Sequence, residues 1–250
     1  MIALITGASS GMGRDMARVL AGRGYDLILV ARRKEKLDKL AQELNTNVTT
    51  IKLDLSIEEN VFKLYEKVKK QDIDILINNA GFGLFGEFHE TYLDTELKMI
   101  DLNIKAYHIL TKLFLKDFIK KDTGYILNVC SSAGFMAGPR LSTYYATKNY
   151  VTKLTMAINE ELRKRRSNVS ISALCPGPVA TEFNKVAKGK FNVREANSYN
   201  VAEYAINNMF KRKMLIVPTL FMKLTLFANR FAPHRLSLMI AYKIQERKSK

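Results

Sequence analysis

The residues best suited to chemistry in this chain are Tyr144 and Lys148, in the stretch LSTYYATKNY (141–150). On a helix, residues four apart are neighbours, so this phenol and ammonium share a face, while Tyr145 points roughly 100° away. A tyrosine at its ordinary pKa of about 10 is a sluggish base at neutral pH. A nearby ammonium favours the phenolate and lowers that value, so only the tyrosine that shares a face with the lysine can work with it. The same spacing recurs at Tyr65 and Lys69, inside the charged run EENVFKLYEKVKK (58–70), where it reads as a solvated helix face. The settings differ. Ser131, thirteen residues before Tyr144, emerges from NVCSSAG at the end of an apolar run, whereas position 52, thirteen before Tyr65, is a lysine. Ser132 fails that spacing and reads as a turn residue.

Something must hold these groups, and the hydrophobic pattern says what. Apolar, β-rich runs recur at 2–6, 26–30, 48–53, 73–78, 125–130 and 169–175, with helical periodicity between them at 11–22, 34–44, 57–70 and 142–166. Alternation of this kind predicts right-handed βαβ crossovers and an α/β fold: a doubly wound parallel sheet, Rossmann-like, with helices on both faces. Ligands of such sheets bind beyond the carboxyl ends of the strands. There the first strand runs into TGASSGMG (6–13), whose Gly7, Gly11 and Gly13 suit the close approach of a pyrophosphate to a helix N-terminus. A tight β–α turn with no ligand would use the same glycines. About twenty residues on, Arg32 stands where a ribose-reading residue is expected. Its guanidinium suits a 2′-phosphate, which favours NADP(H) over NAD(H), although Arg32 and Arg33 could simply open a solvated helix and Glu35 keeps NAD(H) in view. Asp54, closing the third strand, suits either an adenine amino group or a helix cap.

Taken together, TGASSGMG, NNAG (78–81), Asn103, Ser131, Tyr144, Lys148 and PGPVAT (176–181) resemble the short-chain dehydrogenase/reductase family, in one order and one spacing over roughly residues 1–217. The resemblance implies that Tyr144 is the general acid/base, that Ser131 hydrogen-bonds the substrate oxygen, that Lys148 binds the nicotinamide ribose, and that Asn103 holds a water in a proton relay. It also implies cofactor contacts from Thr6, Gly7, Ser9, Ser10, Gly11, Met12 and Gly13. Arg32, Asp54 and Leu55 would face the adenosine end, Asn79, Ala80 and Gly81 the floor. Pro176, Gly177, Val179 and Thr181 would border the nicotinamide, with Tyr144 and Lys148 completing the set. Residues 182–199 fall where the family forms a lid, for which Phe183, Phe191 and Tyr199 are candidate lining residues.

Composition narrows the alternatives. At 250 residues and 47% hydrophobic, the chain supports one α/β domain with a sizeable core. The sequence opens directly on IALITGAS, so no signal or transit peptide is expected and the protein reads as cytoplasmic, or peripheral at a membrane surface. Cys130 and Cys175 stand alone at the ends of apolar runs and read as buried thiols; no metal site is expected. His89, His108 and His234 are scattered, which argues against a hydrolase triad. The +16 charge is uneven: residues 211–250 carry ten Lys/Arg against Glu246 alone.

Residues 1–218 are thus expected to form the catalytic domain and 219–250 a basic, amphipathic helical extension of it. In the extension Leu220, Leu224, Phe227 and Phe231 recur at helical spacing. That face could pack on the domain or on a second subunit of a dimer or tetramer, lie on an anionic membrane, or cap a long apolar substrate. The expected activity is NADP(H)-dependent interconversion of a ketone or aldehyde with its alcohol, the substrate having an apolar body. The competing reading is a non-catalytic NADP-binding sensor or a nucleic-acid-binding protein on the same fold. No helix-turn-helix or aromatic stacking pattern accompanies the charge, so nucleic acid is not an expected partner.

Overall fold

The computed structural model describes residues 1–183 and 195–246; Phe191 lies outside them. Seven strands form the sheet: β1 (Ile2–Thr6), β2 (Asp26–Ala31), β3 (Val48–Lys52), β4 (Ile73–Asn78), β5 (Gly124–Val129), β6 (Val169–Leu174) and β7 (Leu215–Ile216). All pair in parallel, in the order β3-β2-β1-β4-β5-β6-β7. The chain winds outward from β1 to β3, then returns to place β4 on the other side of β1. The crevice at that reversal is where a doubly wound sheet receives ligands.

The helices are α1 (Gly11–Ala21), α2 (Lys34–Glu43), α3 (Glu58–Val68), α4 (Leu93–Ile100), α5 (Tyr107–Lys121), α6 (Ser142–Lys164), α7 (Ser198–Phe210), α8 (Leu220–Asn229) and α9 (His234–Glu246). Strand side chains alternate between the two faces because the side-chain period is two. Ala3, Ile5, Leu27 and Leu29 meet Met16 and Leu20 of α1, Leu37 of α2 and Ile206 of α7 on one face. Leu4, Ile28 and Val30 meet Leu64 of α3, Phe114 of α5 and Leu162 of α6 on the other. Both faces are covered, which is why the central strands read as near-continuous apolar runs.

The polar members of this core hold α6 in place. Asn128 on β5 accepts from Asn78 Nδ2 of β4 at 2.9 Å and donates from Nδ2 to Thr155 Oγ1 of α6 at 2.9 Å. Thr111 of α5 accepts from the same Asn78 amide at 3.1 Å. All four residues are essentially inaccessible to water, where a hydrogen bond left unmade is costly. The network ties the two middle strands to the helix that carries Tyr144 and Lys148.

Candidate active site

At the end of β1 the chain turns through Gly7, whose φ of +66° suits glycine; a Cβ there would lie 2.7 Å from Ala80 Cα. The neighbouring strand closes on this turn. Asn79 Nδ2 donates to the carbonyls of Thr6 and Gly7 at 3.0 and 3.1 Å, and a Cβ at Gly13 would sit 2.4 Å from that same nitrogen. Thr6 is the staple between the strands: its buried Oγ1 accepts from the backbone N–H groups of Asn79 and Ala80 at 2.9 and 3.1 Å. Thr6→Val should therefore lower stability by about 1–3 kcal/mol, since two partly buried donors lose their acceptor. A chemical denaturation midpoint equal to that of the wild type would refute the assignment.

The turn opens into an elongated cleft that runs from the glycine turn to Arg32, an arrangement suited to a dinucleotide. Gly7, Ser9, Ser10, Gly11 and Met12 line one wall, Asn79, Ala80 and Gly81 the floor, and Arg32, Asp54 and Leu55 the far end. Helix α1 begins there with Ser10 at its cap, making no side-chain cap bond and with no acid in its first turn. Its N-terminal N–H groups and dipole end are thus left for an anion. The described residues fit a nicotinamide dinucleotide. Thr6 and Gly13 support the turn from beneath and do not line the cleft.

At the adenosine end, Arg32 is largely exposed and lies 3.8 Å from Asp54 Oδ2. Arg33, which the sequence offered as a helix opener, has a larger part. Its guanidinium donates to Ser9 Oγ at 3.1 Å, to Ser10 Oγ at 2.9 Å and to Glu182 at 2.7 Å. Glu182 carried no signal in the sequence. It spans the cleft to Lys36 at 2.7 Å as well as to Arg33, and these two cations hold its carboxyl down to about 2. Asp54 is not the cap of α3, which begins at Glu58 after Ile57; its Oδ1 instead accepts from Ser56 N at 3.0 Å, closing a local turn. Glu35 is exposed and lies outside the cleft lining.

A smaller pocket adjoins this cleft, and Met12, Thr181 and Phe183 line both. Cys130 to Ala133, Leu141, Tyr144, Tyr145 and the run Pro176 to Val179 complete it, so Ser132 lines it beside Ser131. Ser131 caps the short 3-10 turn Ser132–Phe135, its Oγ accepting from Ala133 N at 3.1 Å, and it also hydrogen-bonds the Tyr144 phenol. Lys148, four residues along α6, is buried; its Nζ donates to Val129 O at 2.8 Å and lies 5.9 Å from the centre of the Tyr144 ring. Tyr145 turns away and accepts from Gln245 Nε2 at 2.9 Å. The Tyr65 copy of the spacing is structural: its hydroxyl donates to Asp117 at 2.7 Å, and burial followed by that carboxylate pushes its pKa up to about 12.

Asn103 sits in a π-helical segment, Asp101–Ala106, between α4 and α5. Single π-turns of this kind often mark functional sites. Its Oδ1 accepts from Phe82 N at 3.2 Å, and its Nδ2 donates to Phe82 O at 2.9 Å and to Thr147 Oγ1 at 3.1 Å. Gly81 brings this amide and Lys148 together, since a Cβ there would lie 2.9 Å from Asn103 Oδ1 and 3.6 Å from Lys148 Nζ. The lowering expected of the Tyr144 phenol is not what this site gives: burial pushes it up, against the Ser131 hydrogen bond, and the same burial pulls the Lys148 ammonium down to about 8.

Of the candidate lid residues, Phe183 lines both pockets and lies 5.3 Å from the Tyr144 ring. Tyr199 is exposed on the first turn of α7 and lines neither. Cys130 and Cys175 are buried free thiols, and no cluster of metal-ligating side chains occurs among the described residues.

A dinucleotide cleft at the switch point of a doubly wound sheet, with Ser131, Tyr144 and Lys148 gathered at one end, is the arrangement of nicotinamide-dependent oxidoreductases. Residues 1–190 match the short chain dehydrogenase family model, and the chain belongs to that family. Among its relatives, an uncharacterized oxidoreductase of Staphylococcus epidermidis is 31% identical over 186 residues, covering 74% of this chain and 80% of that protein. The very-long-chain 3-oxoacyl-CoA reductase of Homo sapiens is 32% identical over 200 residues; the match takes in 74% of this chain but 62% of that longer protein. A short-chain dehydrogenase from Sphingobium yanoikuyae, solved in complex with NADPH, superposes with a TM-score of 0.84 at 30% identity, covering 92% of each chain.

Proposed function

We propose that this protein is an NADP(H)-dependent oxidoreductase that interconverts a ketone or aldehyde and its alcohol, with Tyr144 as general acid/base. The observation that carries the reading is the convergence of Ser131, Tyr144, Lys148 and Asn103 beside the inner end of the dinucleotide cleft. The nicotinamide, when bound, supplies or accepts the hydride. Tyr144 holds the proton that goes to the carbonyl oxygen during reduction, or takes the alcohol proton during oxidation. Ser131 donates to the same oxygen and steadies its developing charge. Lys148 favours the phenolate and would hold the nicotinamide ribose, and Asn103 holds a water in the proton relay. Residues 1–218 constitute the catalytic unit in this reading, and 219–250 its extension.

NADP(H) is favoured because Arg32 and Arg33 flank the adenosine end, whereas Glu35 lies outside the lining. The NADPH-bound state of the Sphingobium relative supports the same choice. Arg32→Asp should shift the NADPH-to-NADH ratio of kcat/KM by about tenfold or more toward NADH, the effect of losing a charge-assisted hydrogen bond of about 1.5–3 kcal/mol. An unchanged ratio in Arg32→Asp, with a shifted one in Arg33→Ala, would move phosphate recognition to Arg33.

The lining of Leu141, Tyr145, Pro178 and Phe183 suits a substrate with an apolar body. Nicotinamide absorbance, followed with NADPH and NADH against 3-oxoacyl thioesters, aliphatic and aromatic ketones, aldehydes and ketosteroids, tests the activity and assigns the class. Tight NADPH binding with no turnover across that panel would favour a sensor instead.

A further inference from the structure

Helices α8 and α9 are inside out. In α8, Leu226 is buried and Met222 half-buried, four residues apart on the inward face. The opposite face carries Leu220, Leu224 and Phe227, and Phe231 just past the helix end continues it, all between 61% and 74% exposed. In α9 the inward positions are Ala241 and Gln245, the latter a buried amide, whereas Leu236, Met239 and Ile240 are turned out to 49–54% exposure. A helix that meets water on its outer face has the reverse distribution, and contiguous apolar exposure of this kind marks a surface with a partner.

The two helices are braced on the catalytic unit. Met222 Cγ would lie 3.1 Å from a Cβ at Gly177, Asn229 Nδ2 donates to Phe135 O at 3.5 Å, and Gln245 holds the Tyr145 hydroxyl. The outward faces therefore belong to the folded molecule.

Charge decides what covers them. Lys223, Arg230, Arg235 and Lys243 are all exposed on α8, α9 and their junction, and the sequence has no Asp or Glu between Glu203 and Glu246. A two-fold interface would set this basic surface against its own copy, with Glu246 at the end of α9 the one carboxylate that the two helices offer against it. An anionic bilayer neutralises it and receives the apolar side chains together. No helix among the described residues is long and apolar enough to cross a membrane, so the geometry is that of a surface contact. We propose that the outward plane of α8 and α9 docks on an anionic lipid bilayer. A dimer or tetramer of this chain would then use another surface.

The test is flotation of the full chain with vesicles of phosphatidylcholine alone and of phosphatidylcholine with phosphatidylglycerol, at low and high salt. Partition onto the anionic vesicles should exceed that onto the neutral ones by on the order of tenfold and should fall as salt rises. The pair Phe227→Asp and Ile240→Asp, or Lys223→Glu with Arg230→Glu, should abolish it while far-ultraviolet circular dichroism and NADPH binding stay at wild-type levels. Equal partition onto both vesicle types, or none onto either, overturns the proposal. A stable dimer by analytical ultracentrifugation that dissociates in Phe227→Asp also overturns it and gives the plane to a second copy. Flotation needs no turnover, so its failure is distinguishable from failure of the oxidoreductase reading.

Discussion

Tyr144→Phe is expected to lower kcat by about 10²–10⁴-fold, the range that a positioned general acid/base contributes. The substitution removes one oxygen from a ring that otherwise keeps its packing against Phe183 and Tyr145. NADPH should still bind within a few-fold of wild type, because the glycine turn, the α1 N-terminus and the arginines of the cleft are untouched. Tyr145→Phe is the matched control. Its hydroxyl is engaged by Gln245, pointing away from Lys148, so most activity should remain. Single-turnover rates with saturating NADPH separate the cases. If Tyr145→Phe loses turnover and Tyr144→Phe does not, the acid/base assignment is wrong.

Lys148→Met should separate stability from activity in one residue. Burial holds the ammonium at about 8, against an ordinary value of 10.5, so the folded state binds this proton less well than the unfolded chain. The sign follows from linkage. Below pH 8 the folded protein bears the full cost of charging a buried lysine, the cost shrinks as pH rises between the two values, and above 10.5 it is gone. Removing the ammonium should therefore stabilise the cofactor-free protein at pH 7 by up to about 3 kcal/mol, the order that 1.36 kcal/mol per unit gives before the lost hydrogen bond is counted. The hydrogen bond lost to Val129 O is partly covered, because Tyr107 Oη also donates to that carbonyl at 3.3 Å. A melting temperature several degrees higher at pH 7, converging with wild type above pH 10.5, is the expected result. Turnover should fall in the same variant, because the phenolate loses its neighbouring charge. A melting temperature below wild type at pH 7 would show that the ammonium is a net structural support.

Much of this arrangement was legible beforehand where one local rule sufficed. The strands at 2–6 and 73–78 match β1 and β4 residue for residue, since short β-branched runs bounded by Gly, Asp or Asn leave little choice of boundary. The helix over 142–166 closely matches α6, and its four-residue spacing fixed in advance which tyrosine would share a face with Lys148. Other features had no local signature. The π-helical turn that presents Asn103 is a departure from a helix register, set by packing against the segment around Phe82. Arg33 and Glu182 are separated by 149 positions and meet only because the chain after β6 folds back over the turn after β1.

The sequence by itself determined the class of fold, the order of its motifs and that Tyr144, not Tyr145, shares a helix face with Lys148. These follow from periodicities of two and 3.6 residues and from the fixed geometry of a helix face. Only the tertiary structure decided what surrounds each group, because burial and charge are properties of neighbours distant in the chain. It turned Tyr65 toward Asp117, brought Gln245 to Tyr145, buried Lys148 enough to depress its pKa, and set the apolar faces of α8 and α9 outward. An amphipathic pattern reports that a helix has an apolar face; which way that face points is fixed only when the other face finds its seat.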